Sequence, residues 1–341
     1  MPHEPPAPST GLDWRPHALE DALRPWTGPV EVEVVSRTGS TNSDLLDALR
    51  LEALRTAPLR SRTPRVLLAE WQTGGRGRMG RQWQAMPGAS LTFSIGWALN
   101  PVHGWGALSL AVGLSVAQAL QPWEGGRPVD GDGRLLLKWP NDLWWFDAPP
   151  TTPGQRAQGR KVAGILIETL PLPAASPAHT QPVAKPVGGE GGRWVVVGIG
   201  INVRAAQLPN LGGMQQATAG TSIWRPQDDA PALWHLVVPS VCRALLGFER
   251  DGFGPISAAA AQRDVLIGQA VTLSGGPASH GHCVGLDADG ALLVVTPQGL
   301  QRVVAGEIQV RPDGRTSPDL PSTASAGTAP GLIDLTDTRP S

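Results

Sequence analysis

The segment between Glu70 and Trp83 is rich in residue types that bind anions. Residues 74–81 include four glycines and three arginines, and they follow a predicted strand at 66–70. Glycine allows backbone N–H groups to approach a ligand closely, and arginine supplies permanently charged, fork-shaped donors for carboxylate and phosphate oxygens. The spacing is neither a P-loop nor a dinucleotide fingerprint. The loop predicts a site for an anion or for a molecule that becomes one, with a solvated loop or a nucleic-acid patch as the alternative.

A second motif, Lys138-Trp139-Pro140-Asn141-Asp142, places polar side chains where a strand ends. The proline stops the ladder because it lacks a backbone donor, and the asparagine and aspartate then lie on a turn. Amide and carboxylate oxygens beside a lysine can hold Mg²⁺ and phosphate together. An ordinary Pro-Asn-Asp turn is the simpler explanation of this motif taken alone.

Two further motifs combine glycine with apolar strands. Residues 161–166 read Lys-Val-Ala-Gly-Ile-Leu, and residues 197–203 read Val-Gly-Ile-Gly-Ile-Asn-Val. Glycine weakens a strand unless a ligand or another chain segment approaches it closely. Gly198 and Gly200 therefore open one strand face to a flat partner, or else to a closely packed helix. Lys161 precedes its strand, where lysines are commonly solvated.

These motifs, preceded by Ser40-Thr41-Asn42, together resemble those of the biotin protein ligases in identity and order, over roughly residues 32–311. The resemblance implies an ATP-dependent enzyme that converts biotin to biotinoyl-5′-AMP and pyrophosphate. The biotin is then transferred to a lysine of a biotin carboxyl carrier protein. Only about thirty residues precede the first predicted strand, fewer than a small independent domain needs. We therefore expect the monofunctional type, without a DNA-binding domain or repressor activity.

The resemblance also implies roles for individual residues. Lys161 and Arg78 would be catalytic, since they would neutralise the biotin carboxylate and the α-phosphate where the two anions meet. The residues implied for biotin binding are Ser40, Thr41, Asn42, Gln72, Gly75, Arg76, Gly164, Gly198 and Ile201. Those implied for ATP and Mg²⁺ are Arg78, Arg81, Lys138, Asn141, Asp142 and Asn202, with Asp142 as the metal ligand. No histidine lies in any motif, so none is assigned a catalytic role.

The composition of the chain narrows its location and partners. A net charge of −1 over 341 residues argues against a protein that mainly wraps nucleic acid. Cys242 and Cys283 lack metal-ligand spacing, which favours reduced structural thiols. We see no secretory signal and no run of transmembrane length, and so expect a cytoplasmic protein. The expected partner is the carrier protein, with no nucleic acid, no membrane and a possible homodimer.

The periodicity of apolar residues predicts the elements that position these motifs. Predicted strands span 30–35, 66–70, 91–97, 135–139, 162–170 and 194–203, and predicted helices span 16–23, 107–120 and 231–248, with another opening at Ser40 in a capping box formed by Thr41 and Asp44. Short strands at 270–273, 282–286, 291–295, 301–304 and 308–311 suit a small barrel. Residues 146–159 and 172–192 resemble surface insertions.

The fold expectation is an α+β protein: a mixed-sheet, class II synthetase-like catalytic domain followed by a small SH3-like β-barrel. We divide the chain into an N-terminal extension at 1–29, a biotin/ATP-binding domain at 30–263, the barrel at 264–311 and a disordered tail at 312–341. The SH3-like character of the barrel and the synthetase-like sheet follow from the resemblance, whereas the small barrel and the order of strands and helices follow from the residues.

Three other functions remain as alternatives. A lipoate or octanoate ligase has this architecture but lacks the Gly/Arg loop and the Lys-Trp-Pro-Asn-Asp motif. A non-catalytic biotin or nucleotide sensor would bind ligand without releasing pyrophosphate, and a nucleic-acid-binding protein would use the arginines of the loop. Trp224 is a candidate for stacking on adenine, although core packing is the ordinary role of a tryptophan.

Overall fold

A computed structural model describes residues 11–54, 63–101, 103–147, 159–172, 192–208, 217–274, 280–304 and 309–312. Its helices are α1 (Pro16–Thr27), α2 (Thr41–Leu54), α3 (Leu108–Leu120), α4 (Ala230–Asp251) and α5 (Gly254–Arg263). The first nine strands are β1 (Glu31–Thr38), β2 (Arg65–Gln72), β3 (Ser90–Leu99), β4 (Trp123–Glu124), β5 (Arg127–Pro128), β6 (Arg134–Lys138), β7 (Asp142–Phe146), β8 (Arg160–Pro171) and β9 (Arg193–Asn202). The last five are β10 (Ala270–Ser274), β11 (His280–Leu286), β12 (Leu292–Thr296), β13 (Gly299–Val303) and β14 (Gln309–Pro312).

Seven strands form one mixed sheet in the order β1-β2-β3-β9-β8-β7-β6. The β1–β2 pair is parallel, and the other neighbours in this sheet are antiparallel. The longest ladder joins β3 to β9, from Ser90 opposite Asn202 to Leu99 opposite Arg193. This arrangement confirms the predicted α+β class with a mixed sheet.

The two faces of the sheet pack against different helices because side chains alternate along each strand. In β9, Val195, Val197 and Ile201 point into the main core, which α3 and α4 cover. Trp194 and Val196 point to the other side and pack with the leucines of α2. The sheet is therefore buried on both faces along β9, as its nearly continuous apolar sequence predicted.

Helix α4 is long and apolar enough to cross a membrane, the only such helix among the described residues. Our expectation that no run reaches that length was therefore wrong for α4. Its side chains are nevertheless part of the core: Leu233, Trp234 and Val237 have no exposed surface. Trp234 packs edge-on against Phe93 of β3, with ring centroids 5.4 Å apart. The apolar character of α4 is accounted for by packing against the sheet.

Helix α1 is longer than predicted and is part of the packed structure. It runs to Thr27, and Leu19 and Leu23, four residues apart on one helix face, are fully buried in the main core. The residues before β1 thus contribute apolar side chains to the same core as the seven-stranded sheet. Where the domains divide remains a prediction.

The five C-terminal strands form a second sheet in the order β13-β12-β11-β10-β14. All four neighbouring pairs are antiparallel. In the described ranges β13 and β14 are not paired with each other, so the sheet is open there and closure into a barrel remains a prediction. The strands agree with those predicted to within a few residues, except that position 308 lies outside the described residues.

The structure also corrects several local predictions. Strand β7 and helix α5 were not predicted, because a Pro-Asn-Asp turn and an alanine-rich stretch obscured their patterns. The predicted capping box between Thr41 and Asp44 is wrong, because both Asp44 groups have other partners. The Asp44 carboxylate accepts a hydrogen bond from Thr38 Oγ1, and the Asp44 backbone N–H donates to the Ser40 carbonyl. Most of the two predicted insertions, at 148–158 and 173–191, and the tail from 313 lie outside the described residues.

Candidate functional site

A single cavity of about 1340 Å³ collects most of the residues that the sequence motifs predicted. It lies at the ends of β2, β8 and β9, beside the first turn of α2. Fourteen of the predicted site residues line it: Ser40, Thr41, Asn42, Gln72, Arg76, Arg78, Arg81, Lys138, Asn141, Asp142, Lys161, Gly164, Gly198 and Asn202. Segments more than a hundred residues apart in sequence therefore form one site.

One end of the cavity is neutral and polar. Helix α2 begins there, and its backbone N–H at Thr41 donates to Gln72 Oε1 at 2.8 Å. The Thr41 hydroxyl lies 2.7 Å from Ser94 Oγ, and Ser94 Oγ donates to Asn42 Oδ1 at 2.6 Å. All of these side chains except Gln72 are buried. The end of the cavity thus has a fixed hydrogen-bonding pattern formed by α2, β2 and β3.

This polar chain ends at a carboxylate that the sequence motifs did not identify. Glu168 Oε2 accepts from Asn42 Nδ2 at 3.0 Å, and Glu168 Oε1 lies 3.3 Å from Arg76 Nη2. Arg76 is therefore anchored from the loop to β8. Glu168 is two residues beyond the Lys-Val-Ala-Gly-Ile-Leu motif, and no feature of its own segment distinguished it from a solvated strand residue.

The other end of the cavity is strongly cationic. Lys161 Nζ contacts Asp142 Oδ1 at 2.7 Å, and Arg78 Nη1 donates to Asn141 Oδ1 at 3.4 Å. Burial lowers the pKa of the Arg78 guanidinium, against the opposing attraction of Asp142. Among the described residues, one carboxylate lines the whole cavity, that of Asp142. Five cationic side chains line it, Arg76, Arg78, Arg81, Lys138 and Lys161, of which Arg76 pairs with Glu168. Two anionic groups could bind here together.

Trp83 covers the floor of the cavity, a role that sequence reasoning missed. Its indole lies over Gly164 and Gly200, which are directly opposite each other in β8 and β9. A Cβ on Gly200 would lie 2.3 Å from Trp83 Cε2, so only glycine fits. Lys161 Nζ is 5.5 Å from the centre of a Trp83 ring, within cation–π distance. The flat partner that the strand glycines predicted is thus part of the chain itself.

The lysine of the cationic end is held by its backbone as well as by Asp142. The Lys161 N–H donates to the Ala217 carbonyl at 2.8 Å, and the Ala219 N–H donates to the Lys161 carbonyl at 2.9 Å. Asn202 Nδ2 also donates to the Lys161 carbonyl at 3.2 Å. Asn202, predicted for nucleotide binding, therefore positions this lysine's backbone.

Two predicted site residues do not line the main cavity. Ile201 is a correction: it is one residue out of step with Gly198 and Gly200, so its side chain points into the core and is fully buried. Gly75 lies in the Gly/Arg loop and packs against the backbone of Trp83, since an added Cβ would be 2.4 Å from the Trp83 carbonyl oxygen. It permits the close approach of two loop segments.

Trp224 packs within the protein. Its ring stacks on Trp145 with centroids 4.2 Å apart and planes 4° from parallel, and its Nε1 donates to the Leu120 carbonyl. The Trp145 ring therefore occupies one face of the indole that was a candidate for adenine. Cys242 and Cys283 are both free and buried, and burial raises the pKa of each thiol to about 12. The prediction of reduced structural thiols is confirmed.

A buried carboxylate joins the strand that carries Lys138 to the segment entering the C-terminal sheet. Asp264 accepts backbone hydrogen bonds from Trp139 at 3.1 Å and from Leu266 at 2.8 Å. Burial raises its pKa from 3.8 to about 7, although both donors and the nearby Lys138 oppose the shift. The native state therefore binds this proton more tightly than the unfolded state does.

This shift predicts a pH-dependent contribution to stability. Because the folded pKa is raised, the contribution of Asp264 is fully present below the unfolded pKa of 3.8 and is lost as the pH rises through 7. Relative to Asp264→Asn, which does not titrate, we expect the wild type to lose about 2 kcal/mol between about pH 5 and pH 8. Urea unfolding of both proteins at several pH values measures the difference, and a constant difference would contradict the assignment.

Comparisons with known proteins agree on one family. The biotin/lipoate A/B protein ligase family matches residues 35–179, and the biotin protein ligase C-terminal domain matches residues 266–311. The biotin–[acetyl-CoA-carboxylase] ligase of Paracoccus denitrificans is 32% identical over 281 residues, which cover 81% of this chain and 98% of that protein. The enzyme of the same name from Mycobacterium tuberculosis is 37% identical over 178 residues, 52% of this chain and 50% of that protein.

A solved structure shares the fold. The biotin protein ligase of Aquifex aeolicus, determined in complex with biotin and ATP, superposes with a TM-score of 0.57 and 24% sequence identity. The superposition covers 83% of this chain and 99% of that one. At 24% identity, this likeness shows that the two proteins share a fold.

Proposed function

Because the chain belongs to the biotin protein ligase family, we propose that it activates biotin with ATP and transfers it to a lysine of a biotin carboxyl carrier protein. In the first step a biotin carboxylate oxygen attacks the α-phosphorus of ATP. A carboxyl–phosphate bond forms, the bond between the α- and β-phosphates breaks, and pyrophosphate leaves. In the second step the lysine amine attacks the carbonyl carbon, AMP leaves with the bonding pair, and the amine loses a proton.

The observation that supports this proposal best is the polarity of the single cavity. Its neutral end offers Thr41 and Gln72 to a polar, uncharged group, and its other end concentrates cations around one carboxylate. A carboxylate and a triphosphate repel each other, so their approach requires fixed positive charge between them. The cavity has this charge where the two substrates would meet.

The residues divide into roles that follow from this polarity. Lys161 and Arg78 would stabilise the charge that develops on the α-phosphate, and Arg81 and Lys138 would hold the remaining phosphates. The biotin ring would lie at the neutral end, near Gly164 and Gly198. The absence of a Cβ on these glycines lets Trp83 and Asn42 pack closely against the strands that line this end. Gly75 would support the loop by allowing it to pack closely against the Trp83 backbone.

Mg²⁺ fits this site as a companion of ATP. Among the described residues no cluster of three or more histidine, cysteine or acidic side chains could hold a metal by itself. Asp142 and the Asn141 amide oxygen are oxygen donors of the kind Mg²⁺ uses when phosphates and water complete its shell. Asp142 would then exchange its contact with Lys161 for one with the ion, which would neutralise phosphate charge.

The remaining parts of the proposal rest on the family match and on the second sheet. We propose that residues 266–311 form the SH3-like barrel of the family, after a synthetase-like catalytic domain that ends near 263. The carrier protein is the partner, and a homodimer is compatible with this arrangement. The two free, buried thiols support a reducing compartment such as the cytoplasm.

The proposal predicts biotin-dependent pyrophosphate release by the purified wild-type protein. With Mg²⁺ and ATP present, we expect release on addition of biotin and labelling of a carrier domain when one is supplied. Mass spectrometry of the carrier identifies the modified lysine, and a carrier whose target lysine is replaced by arginine is the control. Release with lipoate or octanoate instead of biotin would contradict the proposed substrate. Binding of biotin without release would indicate a sensor.

A further inference from the structure

Ser94 and Glu168 belong to the chain of hydrogen bonds at the neutral end, yet neither lines the cavity. Ser94 is fully buried in β3, and Glu168 lies on β8, one-quarter exposed. We propose that these two residues act as positioning residues that make the Thr41 hydroxyl a hydrogen-bond acceptor and thereby select a substrate with an N–H group. The inference rests on the proposed function, because it concerns how the same cavity recognises biotin.

The direction of each hydrogen bond can be assigned from the Glu168 end. The Asn42 Nδ2 atom contacts the Glu168 carboxylate at 3.0 Å and the Leu166 carbonyl at 3.3 Å. Both partners only accept hydrogen bonds, so this end of the amide must be the NH₂ group. Asn42 Oδ1 therefore points toward Ser94 and can only accept.

The single proton of each hydroxyl then determines the next bond. Ser94 Oγ is 2.6 Å from Asn42 Oδ1, so the Ser94 proton is used there. The contact of 2.7 Å between Thr41 and Ser94 must consequently use the Thr41 proton. Thr41 Oγ1 also lies 3.2 Å from Gln72 Oε1, but its one proton is already used in the shorter contact with Ser94.

The consequence is a defined pattern at the cavity surface. The Thr41 Oγ1 proton is used within the protein, so this atom offers only lone pairs to a ligand. Gln72 Oε1 accepts the Thr41 backbone N–H, and the Gln72 NH₂ group is the part of this side chain that can donate to a ligand. A cyclic urea presents N–H beside C=O and matches this acceptor and donor. A saturated acyl chain presents neither, and it would leave both protein groups desolvated without a partner, which is unfavourable.

Glu168, together with the Leu166 carbonyl, sets the direction of these hydrogen bonds. In Glu168→Gln the charge is lost, and Arg76 would attract the new amide oxygen and turn its NH₂ group toward Asn42. Only the Leu166 carbonyl would then hold the Asn42 amide in its orientation, and in the fraction of molecules where the amide reverses, Ser94 donates to Thr41 and the Thr41 proton faces the ligand. Ser94→Ala breaks the same chain in the middle and frees the Thr41 proton. Both variants should weaken selection for an N–H group.

The test measures substrate preference in the pyrophosphate assay. The probes are biotin, the two isomers of biotin methylated at one ureido nitrogen, and octanoate. For Ser94→Ala and Glu168→Gln we expect the KM for biotin to rise about tenfold, because one buried hydrogen bond is lost or mismatched. Of the two methylated isomers, we use the one against which the wild type selects more strongly. The preference in kcat/KM for biotin over this isomer should fall by a similar factor, while the KM for ATP changes less than about twofold.

Thr92→Val is the matched control. Thr92 lies two residues from Ser94 on the same face of β3, is buried, and donates to the Ala69 carbonyl outside the chain of bonds. It should leave the preference unchanged. If Ser94→Ala fails to fold, as a thermal melt would reveal, Glu168→Gln carries the test. Unchanged preference in the folded variants overturns the inference alone, whereas a wild type that releases no pyrophosphate with biotin overturns the proposed function and the inference together.

Discussion

Replacing Lys161 with alanine is expected to reduce biotin-dependent pyrophosphate release by about 10²- to 10³-fold, the usual effect of removing one charge-stabilising donor. Lys161 lies between Asp142 and the ring of Trp83, at the cationic end of the cavity. Its removal takes away the charge that would bring the two anionic substrates together. It also leaves Asp142 as a carboxylate without its partner, which adds repulsion toward phosphate.

Arg160→Ala is the appropriate control for Lys161→Ala. Arg160 precedes Lys161 on β8 and is also cationic, but it pairs with Asp147 and does not line the cavity. We expect this variant to retain activity within about threefold, since partly exposed ion pairs contribute little. Single-turnover formation of the adenylate separates loss of chemistry from loss of binding. Equal activity of the two variants would remove Lys161 from the proposed mechanism.

Gly200→Ala is expected to have the second large effect. The added methyl group would overlap Trp83, whose indole would have to leave the floor of the cavity. Displacing this ring by about 1 Å moves Lys161 and the biotin subsite together, and misplacement of that size can cost about a hundredfold in kcat/KM. Overpacking should also lower stability by about 1–3 kcal/mol. Steady-state kinetics and urea unfolding measure the two effects separately.

Gly96→Ala is a matched substitution in the same sheet. Gly96 is buried in β3, and a Cβ there would lie 3.7 Å from methyl groups of Leu45 and Leu49, an ordinary contact distance. The added methyl should be tolerated, with activity close to that of the wild type. If Gly200→Ala were equally active, the close packing of Trp83 would not be needed for the chemistry.

The sequence predicted the cavity well where its lining residues fall in contiguous motifs. Arg78 and Asn141 are conspicuous because glycine or proline beside them breaks the regular pattern of a strand, and the structure brings both to one cavity. Residues supplied by strand pairing were harder to foresee. Ser94 meets Asn42 because β3 pairs with β9 in one register, with Ser94 opposite Gly198. The sequence of a single strand does not determine that register.

Two errors have the same origin. Ile201 was assigned to the cavity by the family resemblance, although it neighbours Gly200 and neighbouring residues in a strand face opposite sides. Trp83 was not assigned, although the register partners Gly164 and Gly200 indicate space for a flat ring. With thirteen tryptophans in the chain, the residue that fills this space could not be chosen without tertiary contacts.

The ends of the long segment between β8 and β9 lie together, because the ladder runs as far as Pro171 opposite Arg193 and the Leu172 N–H donates to the Gly192 carbonyl. Gly164, at the cavity, is roughly 20 Å along the same strand from that point. Residues inserted there enter and leave the sheet at one place, distant from the substrates. This hairpin end is consequently a position where evolution can lengthen the protein, or an engineer can insert a tag, without selection on catalysis opposing the change.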